Sequence, residues 1–256
     1  MNLHVLSQLD SIVEQTMCNF SKFYMVKSAL NLDEDHQIAQ QIKIISDFYL
    51  KFLHDISFIP AHIKFLRRTV VGFYDLKEDI DHSDPMIAHA IAYLGRFQLT
   101  ENCVAVPVHA RYGNSSDMML CTGLGWMEDR SKILLILIEL AFPKDKTSSV
   151  RENLSYVSDI LKKYEFGSQK PLREFLKSEG YNYNQFQRDC RIYLGDTFYR
   201  YILKLKMIDA LQDIVFTDLS FKEVAFKNKF ADYTNMYKTF RNFKVHLTDI
   251  PRLKKL

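Results

Sequence analysis

The chain has 256 residues, 47% of them apolar and 25% charged. That is enough for one large domain or two of ordinary size, and too apolar for wholesale disorder. No apolar run reaches the ~18 residues of a membrane span, the longest being Ile133–Ile138. The N-terminus has no basic stretch leading into an apolar one, so no secretory signal is expected. Four scattered cysteines (Cys18, Cys103, Cys121, Cys190) form no CxxC pair and fit a reducing cytosol. The net charge is only +3, but it is unevenly spread. Residues 168–256 hold 17 Lys+Arg against 10 Asp+Glu, and residues 1–167 hold 17 against 21. A basic C-terminal third on a mildly acidic body points to a polyanion partner at that end, or to a solvated basic surface.

In chain order, Asn2–Leu30 carries Leu3, Leu6, Leu9, Val13, Met17, Phe20 and Tyr24 at helical spacing. Asn31–Asp35 breaks the pattern, and Gln37–Ile56 resumes it through Ile38, Ile42, Ile45, Phe48, Tyr49 and Phe52. His62–Leu76 reads as a third helix or as a helix running into a strand, because Thr69, Val70 and Val71 are β-branched together. Asp79–Pro85 is expected as a loop and Met86–Tyr93 as a short helix. Asn102–Ala110 alternates like a strand, with valines at 104, 106 and 108. Gly113–Asp117 would turn the chain and Met118–Thr122 return it. Gly123 and Gly125 read as a break before Trp126. Lys132–Phe142 is apolar and suits a buried strand or helix, Lys144–Ser149 is a polar linker, and Val150–Tyr164 is helical. Gly167–Lys170 (GSQK) is the best boundary, dividing 1–166 from 167–256. The expected fold class is mainly α, with an N-terminal part that is mostly helical and carries a small β element.

Beyond Pro171 the signals sharpen. Leu172–Lys177 is a short helix, Glu179–Gly180 a turn, and Asn182 an N-cap for Tyr183–Tyr193. In that second helix Phe186 and Cys190 face inward. Asn184, Gln185, Gln187, Arg188 and Arg191 are left outward, and such amides and arginines match the hydrogen-bonding patterns of base edges and phosphates. Gly195 ends the helix. Phe198–Ser220 reads as one long helix with an apolar stripe (Phe198, Tyr201, Leu205, Ile208, Leu211, Ile214) and a stop at Thr217–Ser220. Ser220 caps Phe221–Lys227, Asn228–Lys229 turns the chain, and Asp232–Asn242 is the second candidate recognition helix. Met236 and Phe240 pack inward there, while Tyr233, Thr234, Asn235, Lys238 and Arg241 point outward.

Over roughly Pro171–Arg252 this pattern resembles the DNA-binding domain of the AraC/XylS family of bacterial transcription regulators. The residues that carry the likeness are Phe186, Cys190, Gly195 and Phe198, then Lys206–Met207 and Ala210–Leu211, then Val224–Ala225, Phe230, Asp232 and Phe240. Two positions depart from the family pattern. Its turn glycine is Lys229 here, and its Gly-x-Thr-Pro after the last helix is replaced by KVHLTDIP, with the proline at Pro251. The resemblance implies an all-α double helix-turn-helix domain on one connector. Its recognition helices would enter successive major-groove faces of promoter DNA, about 34 Å apart. It also implies activation through RNA polymerase, and an N-terminal domain that pairs two copies or senses a small-molecule or protein effector. Lys204, Lys206, Lys222, Lys227 and Lys254–Lys255 are expected to bind phosphates or nothing.

Other chemistries find little footing. His82 and His89, with Asp79, Asp81 and Asp84, could form a mixed metal site, but a polar loop is the plainer reading. No nucleophile lies at a recognisable spacing from His109, and the Gly-x-Gly at 123–125 lacks the context of a phosphate loop. No enzyme and no cofactor are expected. The alternative from another class is an interaction protein whose degenerate helix-turn-helix domain no longer binds DNA.

Overall fold

The computed structural model describes residues 3–24, 32–59, 66–75, 84–96, 104–113, 116–127, 132–146, 154–164 and 170–253. The chain divides into two compact units, one built essentially from Leu9–Lys146 and the other from Thr147–Ile250. It is mainly helical, with a four-stranded sheet in the N-terminal part and helices throughout the described C-terminal region.

In the first unit, helices α1 (Leu3–Tyr24) and α2 (Leu32–Asp55) precede strand β1 (Leu66–Asp75) and helix α3 (Pro85–Leu94). Strands β2 (Val104–Gly113), β3 (Asp117–Met127) and β4 (Lys132–Pro143) follow. The sheet is antiparallel with the order β1-β4-β3-β2. Thr122 sits opposite His109 on one side and Ile138 on the other, and Ile138 opposite Thr69, so these four share a face. Helices α1 and α2 cover that face. Ser21 Oγ donates to Ala105 O at 2.7 Å, and Asp10 accepts from Arg111 and pairs with His109 Nε2 at 3.0 Å. Helix α3 covers the other face, where Met86, Ala90 and Leu94 pack on Val106, Val108, Cys121, Leu135 and Leu137. Strand β4 is thus buried from both sides. Its apolar run loses the alternation of a half-exposed strand, which is why the sequence left strand and helix open there.

Gly123 and Gly125 do not break the chain: both lie inside β3. A Cβ on Gly123 would stand 1.9 Å from Ile136 O, and one on Gly125 would stand 2.7 Å from Leu94 Cδ1. Glycine is needed at 123 so that the neighbouring strand can approach, and at 125 so that α3 can pack.

Asp84 caps α3, accepting from the Met86 amide at 2.9 Å, and takes both terminal nitrogens of Arg68 at 2.7 and 2.6 Å. That Arg68 hydrogen bond holds the Asp84 carboxyl below the usual range. Arg68 Nε also donates to the buried Glu139 at 2.9 Å, and Glu139 accepts from the Tyr112 hydroxyl. Asp84 is therefore committed to Arg68. His82, Asp79 and Asp81 of the weighed metal site lie outside the described residues. His89 stacks on Tyr112 at 4.6 Å.

The second unit holds helices α4 (Tyr156–Lys163), α5 (Leu172–Ser178), α6 (Tyr183–Leu194), α7 (Phe198–Phe216), α8 (Phe221–Lys227) and α9 (Tyr233–Asn242). Helix α4 begins later than the expected Val150 and lies before the expected boundary at 166/167, yet it packs on α6. Tyr156 stacks on Tyr181 at 4.6 Å and donates its hydroxyl to Asp189 Oδ2 at 2.6 Å. Helix α7 is buried nearly all round, through Phe198, Tyr201, Met207, Ile208, Ala210, Leu211, Ile214 and Val215. Such a helix draws its stability from the neighbours it packs against rather than from intrinsic propensity.

Candidate nucleic-acid interface

Each pair of short helices is set by local chemistry. Asn182 Oδ1 accepts from the amides of Asn184 and Gln185 at 3.0 and 3.1 Å, which fixes the start of α6. Ser220 and Glu223 form a reciprocal capping box at the start of α8. The serine's hydrogen bonds hold the Glu223 carboxyl below its ordinary value. Asp232 Oδ1 accepts from the Asn235 amide at 2.6 Å and starts α9.

The two turns share one hydrogen-bond pattern. Gly180 N donates to Lys177 O and Tyr181 N to Leu176 O, at 3.2 and 2.8 Å. Forty-nine residues later in the chain, Lys229 N donates to Phe226 O and Phe230 N to Ala225 O, at 3.0 and 2.9 Å. Gly180 has φ +83° and Lys229 has φ +57°, so the lysine occupies the left-handed conformation that the glycine holds in the first of the two turns. Lys206 Nζ of the connector donates to Lys229 O at 2.9 Å and clamps this turn. The second turn carries one residue more, Ala231, before its N-cap.

On α6 the outward side holds Asn184, Gln185, Arg188 and Arg191, all exposed, opposite the buried Phe186, Cys190 and Tyr193. Arg188 donates to Gln185 Oε1 at 2.7 Å, and Gln185 Nε2 donates to Asp189 Oδ1 at 2.8 Å, so this pair is pre-oriented. Gln187 stands apart from them: it is half-buried, with its Nε2 shielded and without a hydrogen-bond partner. On α9, Tyr233, Thr234, Asn235, Lys238 and Arg241 are exposed, opposite Met236, Thr239 and Phe240. Tyr233 stacks on Phe221 at 6.2 Å and lies 6.2 Å from Tyr237.

Three exposed apolar or aromatic side chains on these helices escaped sequence reading, which assigned apolar residues inward. Ile192 extends the outward side of α6, Tyr237 that of α9, and Phe226 stands 87% exposed on α8.

The connector lysines divide. Lys204 is 3% exposed and pairs with Asp196 Oδ2 at 2.7 Å, so it is packed into the domain and not offered to a phosphate. Burial pushes its ammonium down, and Asp196 works against that. Burial also lowers Lys206, helped by the charge of Lys229. Lys227 pairs with Asp213 at 2.6 Å, and Asn228 Nδ2 reaches the same carboxylate at 2.7 Å, tying the end of α8 to α7. Lys222 is exposed, and Lys254–Lys255 lie outside the described residues.

In the first unit, the aromatic side chains of Tyr49, Phe52 and Phe58 are buried. A cavity of about 20 Å³ lies among α1, α2 and the sheet, lined by Ile12, Met17, Ser46, Tyr49, Thr122 and Ile138 among others. That is room on the scale of one water molecule. Among the described residues no group of three or more His, Cys, Asp or Glu could hold a metal ion. None of the described helices is long and apolar enough to cross a membrane.

Residues 175–246 match the family model described as a helix-turn-helix domain. No curated protein and no solved structure matches the chain.

Proposed function

We propose, from the premise that this chain is an AraC/XylS-type DNA-binding regulator with its helix-turn-helix domain at residues 175–246, that it works in the cytoplasm and activates transcription from promoters whose sequence it reads. Helices α6 and α9 enter the major groove with Asn184, Gln185, Arg188 and Arg191 from the first, and Thr234, Asn235, Lys238 and Arg241 from the second, while Tyr233 flanks the second contact. Residues 1–166 regulate this activity by pairing two copies or by binding an effector, and RNA polymerase is the partner at the promoter. The observation that carries the reading is the pair of capped helices, each with a polar outward side, joined by one packed connector. At 19 residues α7 is about 28 Å long, which suits a spacer between sites one helical turn of DNA apart. Helix α6 has two arginines on its outward side with a glutamine already orienting one of them, and it takes the larger share of base readout.

The test is equilibrium binding of the whole protein to DNA from upstream of its own gene against a scrambled duplex, at several salt concentrations. A specific excess of about 10³-fold or more is expected, together with its loss in Arg188→Ala/Arg191→Ala. Undiminished specific affinity in that double variant refutes the assignment to α6. Absence of binding to either duplex at low salt refutes the DNA-binding reading and favours an interaction protein.

A further inference from the structure

Three non-glycine residues among those described have positive φ: Ser57, Lys229 and Lys244. The two lysines fall at matching places of one repeated design. In the first helix-turn-helix unit the turn residue Gly180 (φ +83°) and the residue closing the recognition helix, Gly195 (φ +74°), are left-handed glycines. In the second unit the turn residue is Lys229 (φ +57°) and the closing residue is Lys244 (φ +60°), each 49 positions after its counterpart. The closing turn is hydrogen-bonded in full, with Lys244 N donating to Arg241 O at 2.9 Å and Val245 N to Phe240 O at 3.1 Å.

Glycine enters this conformation without steric cost, and asparagine or aspartate tolerate it; lysine is not among the favoured residues. Backbone preference therefore does not account for lysine at both places. What the two share is an exposed side chain with a positive charge. They stand in sequence on either side of α9, one before its start and one after its end, and α9 itself carries Lys238 and Arg241 on its outward side. A strained residue that a glycine would relieve is the kind of feature retained for function rather than for folding.

We propose that Lys229 and Lys244 are phosphate contacts that bracket the groove entered by α9, gripping the DNA backbone on its two sides. The inference rests on the DNA-binding reading above and adds to it two residues, a ligand chemistry (backbone phosphate) and a role (holding register rather than reading bases). The first unit, with glycines at both places, lacks this grip and relies on its arginine-rich outward side. The second unit carries fewer base-reading groups and is anchored instead by charge.

The experiment compares the full chain with Lys229→Gly/Lys244→Gly and with Lys229→Arg/Lys244→Arg, measuring thermal stability and the salt dependence of binding to specific and scrambled duplexes. The glycine variant should melt higher than the wild type, because the left-handed residues are relieved. It should also bind both duplexes more weakly by a similar factor, with the slope of log K against log salt shallower by about 1.8, or about 0.9 for each phosphate no longer neutralised. The arginine variant should keep the wild-type slope. A higher melting temperature with an unchanged salt slope overturns the proposal and shows that the lysines are merely tolerated. A loss confined to the specific duplex would make them base readers and also overturns it. If the wild type itself binds neither duplex at low salt, the DNA-binding reading fails, and this inference with it; that outcome is distinct from a normal wild type with an unaltered variant.

Discussion

Removing the carboxylate of Asp196 should be among the most damaging single changes in the C-terminal unit, and its effect should depend on pH. Lys204 lies on α7 with its side chain 4% exposed, and its ammonium pairs with an Asp196 oxygen at 2.7 Å. Asp196→Ala takes that carboxylate away from a buried cation, and breaking a buried pair costs about 3–5 kcal/mol in general. The Asp196 side chain is 16% exposed, so water reaches part of the space the alanine vacates, and the lower end, about 3 kcal/mol, is the expected value. In a chain of this size that lowers Tm by roughly 6–12 °C. The opposite deletion should be mild. With Lys204→Met, Asp196 keeps the Thr197 amide at 2.8 Å, Arg200 Nε at 3.3 Å and contact with water, so a cost under about 1 kcal/mol is expected.

The pH dependence follows from the depressed ammonium. Burial already lowers Lys204 in the wild type, and losing Asp196 lowers it further. The unfolded chain then binds the extra proton up to about pH 10.4, so stability rises with pH across that window. The deficit of Asp196→Ala should shrink between pH 7 and pH 10. Urea denaturation at the two pH values, with m held as a check, reads all three quantities. Equal losses in the two variants, or a deficit in Asp196→Ala that does not change with pH, would refute the account of Lys204 as a buried cation stabilised by the Asp196 carboxylate.

Three further outcomes follow. Gly123→Ala should cost at least about 2 kcal/mol or prevent folding, because its Cβ would meet the Ile136 carbonyl and part β3 from β4; a urea midpoint equal to the wild type would refute the strand register. Cys121 and Cys190 are pushed up to about 12, chiefly by burial, so neither should be alkylated by iodoacetamide at pH 8 in the native protein, while both react in urea. Phe226→Ser should change stability by no more than about 0.5 kcal/mol, since its ring is 87% exposed; a larger loss in thermal unfolding would place that ring against other groups.

The C-terminal helices were legible because their ends are written locally. Asn182, Ser220 and Asp232 are side chains that cap their own helices, and Gly195 is a stop whose reason is steric. The spacing of Phe186, Cys190, Met236 and Phe240 gave the buried sides because one side of each short helix faces water. The sheet was only half legible. Strands β2 and β3 showed alternation and a turn, but β1 and β4 lie where neighbours far apart in sequence decide the outcome. The run Ile133–Ile138 is covered on both faces, so nothing in it alternates. The glycines of β3 looked like punctuation because what demands them lies elsewhere in the chain: the Ile136 carbonyl of β4 for Gly123, and Leu94 of α3 for Gly125. Lys204 was misread for a similar reason. Its partner Asp196 lies eight residues earlier, beyond the reach of the helical i,i+4 pairing that a sequence can be scanned for.

The hydroxyl of Tyr156 resting on Asp189 has a practical side for anyone dividing this protein. A fragment cut at the apparent junction near residue 167 would discard α4. It would strip the stacked ring from Tyr181, take away one hydrogen-bond donor from a buried carboxylate, and remove the Tyr156 ring from beside Phe186 of α6. Chimaeras that graft a foreign sensor onto this reader should therefore be joined ahead of residue 154, with α4 kept on the reader's side of the seam.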